Sequence, residues 1–148
     1  MTSPSKPTAP EVEKSVRDSF GKQGLMGTIG AWLVEVTAGR VTIELPFSPR
    51  ISQQHGLFHG AVIGALADTA GSYAAMSLMP AGSEVLTVEY KINFVGPAKG
   101  AMLRATADVV TSGRTLSVVR VEVLCLDDSK SDVCAILQAT MLRAPAKK

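Results

Sequence analysis

One stretch of this 148-residue chain constrains its fold more than any other: residues 55–79, HGLFHGAVIGALADTAGSYAAMSLM. It is long, apolar and rich in Gly and Ala, the makeup of a core helix that another layer can approach closely. Asp68 is its one carboxylate, and no other side chain between Arg50 and Glu84 is formally charged. An ionised carboxylate in an apolar helix is costly to bury without a partner. Asp68 therefore marks either a specific hydrogen bond or a site of chemistry.

The pattern around this helix is that of strands. Residues 11–20 (EVEKSVRDSF) space Val12, Val16 and Phe20 at four-residue intervals after Pro10, which predicts a short amphipathic helix ended by Gly21 and Gly24. Residues 28–37 read as a strand with Trp32 inside, and 40–47 (RVTIELPF) alternate, with Val41, Ile43, Leu45 and Phe47 on one face. The two form a hairpin about Ala38-Gly39. After a loop at 48–58 and a helix over 60–79, the period changes to two. Residues 84–95 place Leu86, Val88, Tyr90, Ile92 and Phe94 on one face and Thr87, Glu89, Lys91 and Asn93 on the other. Three more strands follow at 101–110, 114–126 and 132–142, separated by Ser112-Gly113 and by 127–131. A run of antiparallel strands needs one apolar element over its inner face, and only the 60–79 helix is long enough. The expected fold class is α+β: a hotdog fold, an antiparallel sheet of about six strands wrapped round one long central helix. One domain is expected at 11–143, with a disordered tail at 1–10 and a frayed tail at 144–148.

Composition excludes several classes. A net charge of +2 without a basic run argues against a nucleic-acid binder. No zinc-like Cys/His cluster is present. Cys125 and Cys134 lie in apolar runs and read as buried free thiols. No stretch reads as a membrane span, and MTSPSKPTAP lacks the apolar region of a secretory signal. The expectation is a cytoplasmic protein that binds neither membrane nor nucleic acid.

The segment QQHGLFHGAVIGALADTAG resembles the signature of the PaaI-like (phenylacetate-pathway type) hotdog thioesterases. Gln53, Gly56, His59-Gly60 and Asp68 fall at the spacings of that pattern. LTVEYKINFVGPAKG is similar to the family's central strand and exit loop, and SGRTL to its later hairpin. The likeness covers about residues 24–143. Two positions depart from it: Ala61 stands in place of the second Gly after the His, and Gln53 in place of the commoner Asn.

Thioester hydrolysis needs a donor where the carbonyl oxygen becomes negative and a base or nucleophile at the carbonyl carbon. Gly60 opens the helix, where backbone N–H groups are unpaired and the helix dipole favours negative charge; the resemblance assigns its N–H to the oxyanion hole. Asp68 would activate water or attack directly, or else hold a structural hydrogen bond. The resemblance implies that Gln53 contacts the water or thioester, that His59 orients the helix entry or the thioester, and that Thr87 helps hold water near Asp68. His55, Phe58, Tyr73, Lys99 and Arg114 are candidates for binding the acyl group or coenzyme A, with Phe20, Leu25, Met26 and Leu57 as further acyl-pocket candidates. Gly60 and Asp68 are eight residues apart, about 12 Å along one helix, too far to serve one carbonyl together. If both roles hold, two antiparallel copies must share each site. The resemblance likewise implies homodimers, often paired into a dimer of dimers. The expected function is an acyl-CoA thioesterase needing no cofactor beyond the coenzyme A of its substrate. The alternatives are a hotdog acyl-thioester dehydratase/hydratase and a non-catalytic acyl-CoA-binding domain.

Overall fold

The computed structural model describes residues 8–145. Helix α1 (Pro10–Gly21) and the short helix α2 (Gly24–Ile29) precede strands β1 (Trp32–Thr37) and β2 (Arg40–Pro46). A single 3-10 turn leads into the central helix α3 (Gly60–Met76). Strands β3 (Glu84–Phe94), β4 (Met102–Ser112), β5 (Leu116–Asp127) and β6 (Lys130–Ala144) complete the chain. The six strands form one sheet in the order β1-β2-β4-β5-β6-β3, antiparallel at every pairing. The sheet wraps α3 in the hotdog arrangement.

Alternation explains the inner layer. Val41, Ile43 and Leu45 of β2, Val119, Val121 and Val123 of β5, and Leu137 and Met141 of β6 all point inward and are fully buried. Against them α3 presents Leu66, Ala67, Ala70 and Ala74, also fully buried. The approach is closest at Gly71, where a Cβ would lie 2.9 Å from Val119 Cγ2 and 3.2 Å from Met141 Cε. The small residues of α3 are thus a packing requirement. On the outer face, Arg40 pairs with Asp108 at 2.8 Å and Arg104 with Glu44 at 2.6 Å.

Four expectations need correction. The strand expected over 28–37 begins only at Trp32. Residues 24–29 are helical because Met26 is fully buried there, which is worth about 1.5–3 kcal/mol, and Gly30 ends the helix with φ +84°. Trp32 itself is 41% exposed. The central helix stops at Met76, where Ser77 Oγ turns back to donate to the Ala74 carbonyl at 2.7 Å and Pro80 follows. The first ten residues are not all tail, since Pro10 opens α1 and 1–7 lie outside the described residues; at the other end Ala144 still belongs to β6, and 146–148 lie outside.

The fourth correction bears on function. Leu86, Val88, Tyr90, Ile92 and Phe94 do not share one face, because β3 bulges between Thr87 and Glu89 against β6. Before the bulge, Thr87 pairs with the inward Met141; after it, Tyr90, Ile92 and Phe94 pair with Ala139, Leu137 and Ala135, also inward. A one-residue insertion reverses side-chain parity. Thr87 therefore faces α3 together with Tyr90 and Phe94, while Leu86 lies on the outer face. β3 is also an edge strand, and Leu86, Val88, Tyr90 and Phe94 are each 46–58% exposed.

Cys125 and Cys134 are buried free thiols. Burial pushes both thiols up, Cys134 to about 11. Among the described residues no helix is long and apolar enough to cross a membrane.

The tight contact at Gly71 makes a prediction. Gly71→Val should destabilise the protein by about 1–3 kcal/mol through overpacking. Gly27→Ala, in α2 with no neighbour within 4 Å of the new Cβ, should be neutral or stabilising by up to about 1 kcal/mol. Urea midpoints of the two variants check this.

Candidate active site

The start of α3 is built by its preceding loop. Gln53 N–H donates to the Leu57 carbonyl at 2.9 Å, and Ser52 bridges Phe58. The Gln53 side chain works inside this loop: Oε1 accepts from the backbone N–H of His55 and, at 3.4 Å, from that of Leu57. Phe58 N–H is held by the Ala98 carbonyl at 3.0 Å. His59 is the N-cap of α3, its Nδ1 accepting from Ala61 N–H at 2.9 Å. That bond assigns the ring proton to Nε2. It also takes up the amide next to Gly60. The Gly60 N–H has no hydrogen-bond partner among the described residues. The Phe94 ring lies over it, 3.3 Å from where a Cβ would stand.

Asp68 lies two turns further along, half-buried on the side of α3 that faces β3 and α1. Thr87 Oγ1 donates to its Oδ1 at 2.7 Å. Ser72, one turn on from Asp68, stands 3.4 Å from Thr87 Oγ1. Asp68 Oδ2 has no partner among the described residues. This leaves a carboxylate with one oxygen fixed by a charge-assisted hydrogen bond and the other open to a cavity of about 380 Å³. That volume suits a small ligand.

The cavity is closed on its far side by the N-terminal helices. Tyr73, 4% exposed, carries its hydroxyl 3.1 Å from Ser19 Oγ and 3.2 Å from Gln23 Nε2, and its ring meets Phe20 edge-on at 5.9 Å. Ser19, Gln23, Leu25, Tyr73 and Glu84 line the space with Asp68 and Thr87.

Of the residues singled out from the sequence, the structure thus brings Asp68, Thr87 and Tyr73 to one cavity, with Leu25. Gly60, His59, Gln53 and the exposed His55 sit together at the helix start, at the other end. Phe58 does not face the cavity: it is buried edge-on against Phe47 at 5.2 Å, and Met26 is likewise core. Lys99 and Arg114 are both exposed and line no part of the cavity. Lys99 neighbours Ala98, beside the helix start, whereas Arg114 lies next to the Leu116–Leu142 pair at the Thr87 end of the sheet. Ser19, Gln23, Ser72 and Glu84 were not foreseen. Ser72 had a signal in its four-residue spacing from Asp68. Ser19 and Gln23 reach the cavity only through the docking of α1, which no local pattern encodes. Among the described residues no group of three His, Cys, Asp or Glu side chains is placed to hold a metal ion.

The chain is similar to proteins of known family and fold. The model of the thioesterase superfamily matches residues 55–131. The chain is 26% identical over 111 residues to the 1,4-dihydroxy-2-naphthoyl-CoA hydrolase of Listeria monocytogenes, covering 75% of this chain and 89% of that one. A thioesterase family protein from Silicibacter pomeroyi superposes with a TM-score of 0.87 at 38% identity, covering 89% of this chain and 97% of that one. The PaaI protein of the E. coli phenylacetic acid degradation operon shares the fold, with a TM-score of 0.83 at 20% identity over 93% of this chain and 96% of its own.

The cap at His59 is testable on stability alone. His59→Ala removes the acceptor for Ala61 N–H and should cost about 1 kcal/mol, whereas His59→Asn, a good N-cap, should restore most of it. Denaturant titration of both variants measures the difference.

Proposed function

From the premise that the chain belongs to the thioesterase superfamily and is a thioester hydrolase, we propose that it hydrolyses acyl-CoA thioesters with Asp68 as the reacting carboxylate. The observation that carries this is the state of Asp68, with one oxygen held by Thr87 and the other open to the cavity. A hydrogen bond from Thr87 fixes the carboxylate's direction without neutralising it. The free oxygen either takes a proton from water, whose oxygen then attacks the thioester carbonyl carbon, or attacks that carbon itself. In the first route the C–S bond breaks and the proton that Asp68 took from water passes to the leaving sulfur; in the second the sulfur leaves as a thiolate, water cleaves the mixed anhydride left on Asp68, and a proton from that water completes the thiol, so that either way one water is consumed and the acyl group ends as the free acid. The coenzyme A part of the reading is supported by the Listeria relative, whose name is that of a CoA-thioester hydrolase.

Charge develops on the carbonyl oxygen and needs a donor. The unpartnered Gly60 N–H fits that need, with His59 and Gln53 holding the loop around it. Gln53 Oε1 is engaged by backbone N–H groups, so its amide hydrogens are what it offers a ligand. Within one chain, eight residues of helix, about 12 Å, separate this donor from Asp68. The site is therefore shared by two copies, the Asp68 end of one α3 lying beside the helix start of the other. Supporting this, β3 is an edge strand with an exposed apolar set, Leu86, Val88, Tyr90 and Phe94, the kind of edge that another chain covers. An antiparallel copy also brings the partner's Lys99 loop to the Asp68 end, next to Arg114, where two cations suit the phosphates of coenzyme A. Dimers would pair further into tetramers.

Asp68→Asn keeps the shape and the Thr87 contact but removes the base. Thiol release from a panel of acyl-CoAs should fall by roughly 10²–10⁴-fold, with the fold unchanged by circular dichroism. Undiminished release in Asp68→Asn contradicts the role of Asp68.

A further inference from the structure

We propose that Tyr90 is a further catalytic residue, whose hydroxyl donates a hydrogen bond to the thioester sulfur as the C–S bond breaks. The inference rests on Asp68 being the reacting carboxylate and on the site being shared by two copies.

One stripe of α3 faces β3. Gly60, Gly64 and Asp68 follow one another at four-residue intervals, which puts them on one side of the helix. Each is met by an inward side chain of β3. The Phe94 ring lies over Gly60, Tyr90 Oη stands 3.4 Å from where a Cβ of Gly64 would be, and Thr87 Oγ1 holds Asp68 at 2.7 Å. Thr87 has given its proton to the carboxylate, and Phe94 has no polar side-chain atom. The Tyr90 hydroxyl is left as the polar group of this row without a hydrogen-bond partner among the described residues.

Symmetry puts that hydroxyl inside the shared site. With Gly60 of one α3 beside Asp68 of the other, the two-fold axis crosses the helix pair midway between them, at the level of Gly64. Tyr90, 46% exposed in one chain, therefore faces the second copy, in the space between the two sites.

Direction then selects the atom it meets. The cavity runs from Asp68 toward the end of α3, past Ser72, Tyr73 and Met76. An acyl group seated there reaches Asp68 from that side, and the carbonyl oxygen is drawn to the Gly60 N–H of the other chain. The sulfur is left to point the opposite way along α3, toward Gly64. Gly64 precedes Asp68 by four residues, about 6 Å, which is room for the carbonyl carbon beside the carboxylate and the sulfur beyond it. A hydroxyl at that position meets little charge in the bound thioester and a growing negative charge as the sulfur departs. Such a bond strengthens in the transition state and so acts on kcat. Tyr90 keeps its own proton throughout, and the proton that completes the thiol comes from water in both routes of hydrolysis.

The test is Tyr90→Phe, which removes one oxygen and keeps the ring, so circular dichroism and gel filtration should match the unmodified protein. On benzoyl-CoA and hexanoyl-CoA kcat should fall by about 10–100-fold, while KM changes by less than about threefold. On S-(4-nitrophenyl) thiobenzoate, whose thiolate leaves readily without help, the same substitution should cost less than about threefold. A role in packing or in the dimer contact would lower all three rates alike. Unchanged kcat on the CoA thioesters, a change in KM alone, or an equal loss on the aryl thioester overturns the proposal. If the aryl thioester is not a substrate, kcat and KM on the CoA thioesters decide. Thiol release from neither CoA thioester by the unmodified enzyme overturns the acyl-CoA reading and this inference with it, whereas full kcat in Tyr90→Phe beside a loss in Asp68→Asn overturns this inference alone.

Discussion

The structure depends on how closely α3 can sit inside the curved sheet. At Gly71 the helix backbone is so near β5 and β6 that a single Cβ would meet Val119 at 2.9 Å. Close-packed interiors do not yield smoothly to such changes. This contact fixes which faces of α3 look at the sheet and which look toward β3 and α1. With the orientation set, Asp68, Ser72, Tyr73 and Met76 are on the open side and line the cavity, while Leu66, Ala67, Ala70 and Ala74 are sealed. The helix that fills the core thus also carries the reactive side chain, and a stripe of small residues serves both ends.

A second constraint comes from β3. Without the bulge after Thr87, the strand could not turn both Thr87 and Tyr90 toward α3, because three residues of regular strand put the two on opposite faces. The bulge gives Asp68 its hydroxyl partner at 2.7 Å and still directs Tyr90 and Phe94 to the helix, where Tyr90 Oη lies 3.4 Å from the Cβ position of Gly64. Bulges concentrate next to active sites for this reason.

Much of this was legible in the sequence, and the limits have physical causes. The length and apolar content of the central helix, its lone carboxylate, the parity of 40–47 and the turn signals between the last strands all depend on residues close in the chain. Thr87 was expected on the face opposite the whole apolar set of β3, and it shares the inner face with Tyr90, Ile92 and Phe94, with only Leu86 on the other side. What local pattern could not carry was anything set by partner register or docking. The bulge at Val88 exists only in the pairing with β6, so the apolar set of β3 read as one face when it is two. Thr28 and Ile29 looked like the start of a strand because both are β-formers, but the burial of Met26 in the helix Gly24–Ile29 outweighs that weak preference. Phe58 looked like a pocket residue because of its position and is core. Ser19 and Gln23 had no signal until α1 was folded onto Tyr73.

The separation between Gly60 and Asp68 is the central claim in its sharpest form: two groups on one helix that must act on one carbonyl from two chains. Gly60→Pro deletes the N–H at a first helical position, where Pro is well tolerated, and His59 before it already has the extended backbone, ψ 135°, that a following Pro requires. Asp68→Asn deletes the carboxylate. Each variant alone should be nearly inactive. Unfolded together in equal amounts and refolded, the two should regain about a quarter of the unmodified rate of thiol release, because half the dimers then carry one intact site of two. A mixture as inactive as its parents, with mixed dimers shown to form, would contradict the shared site.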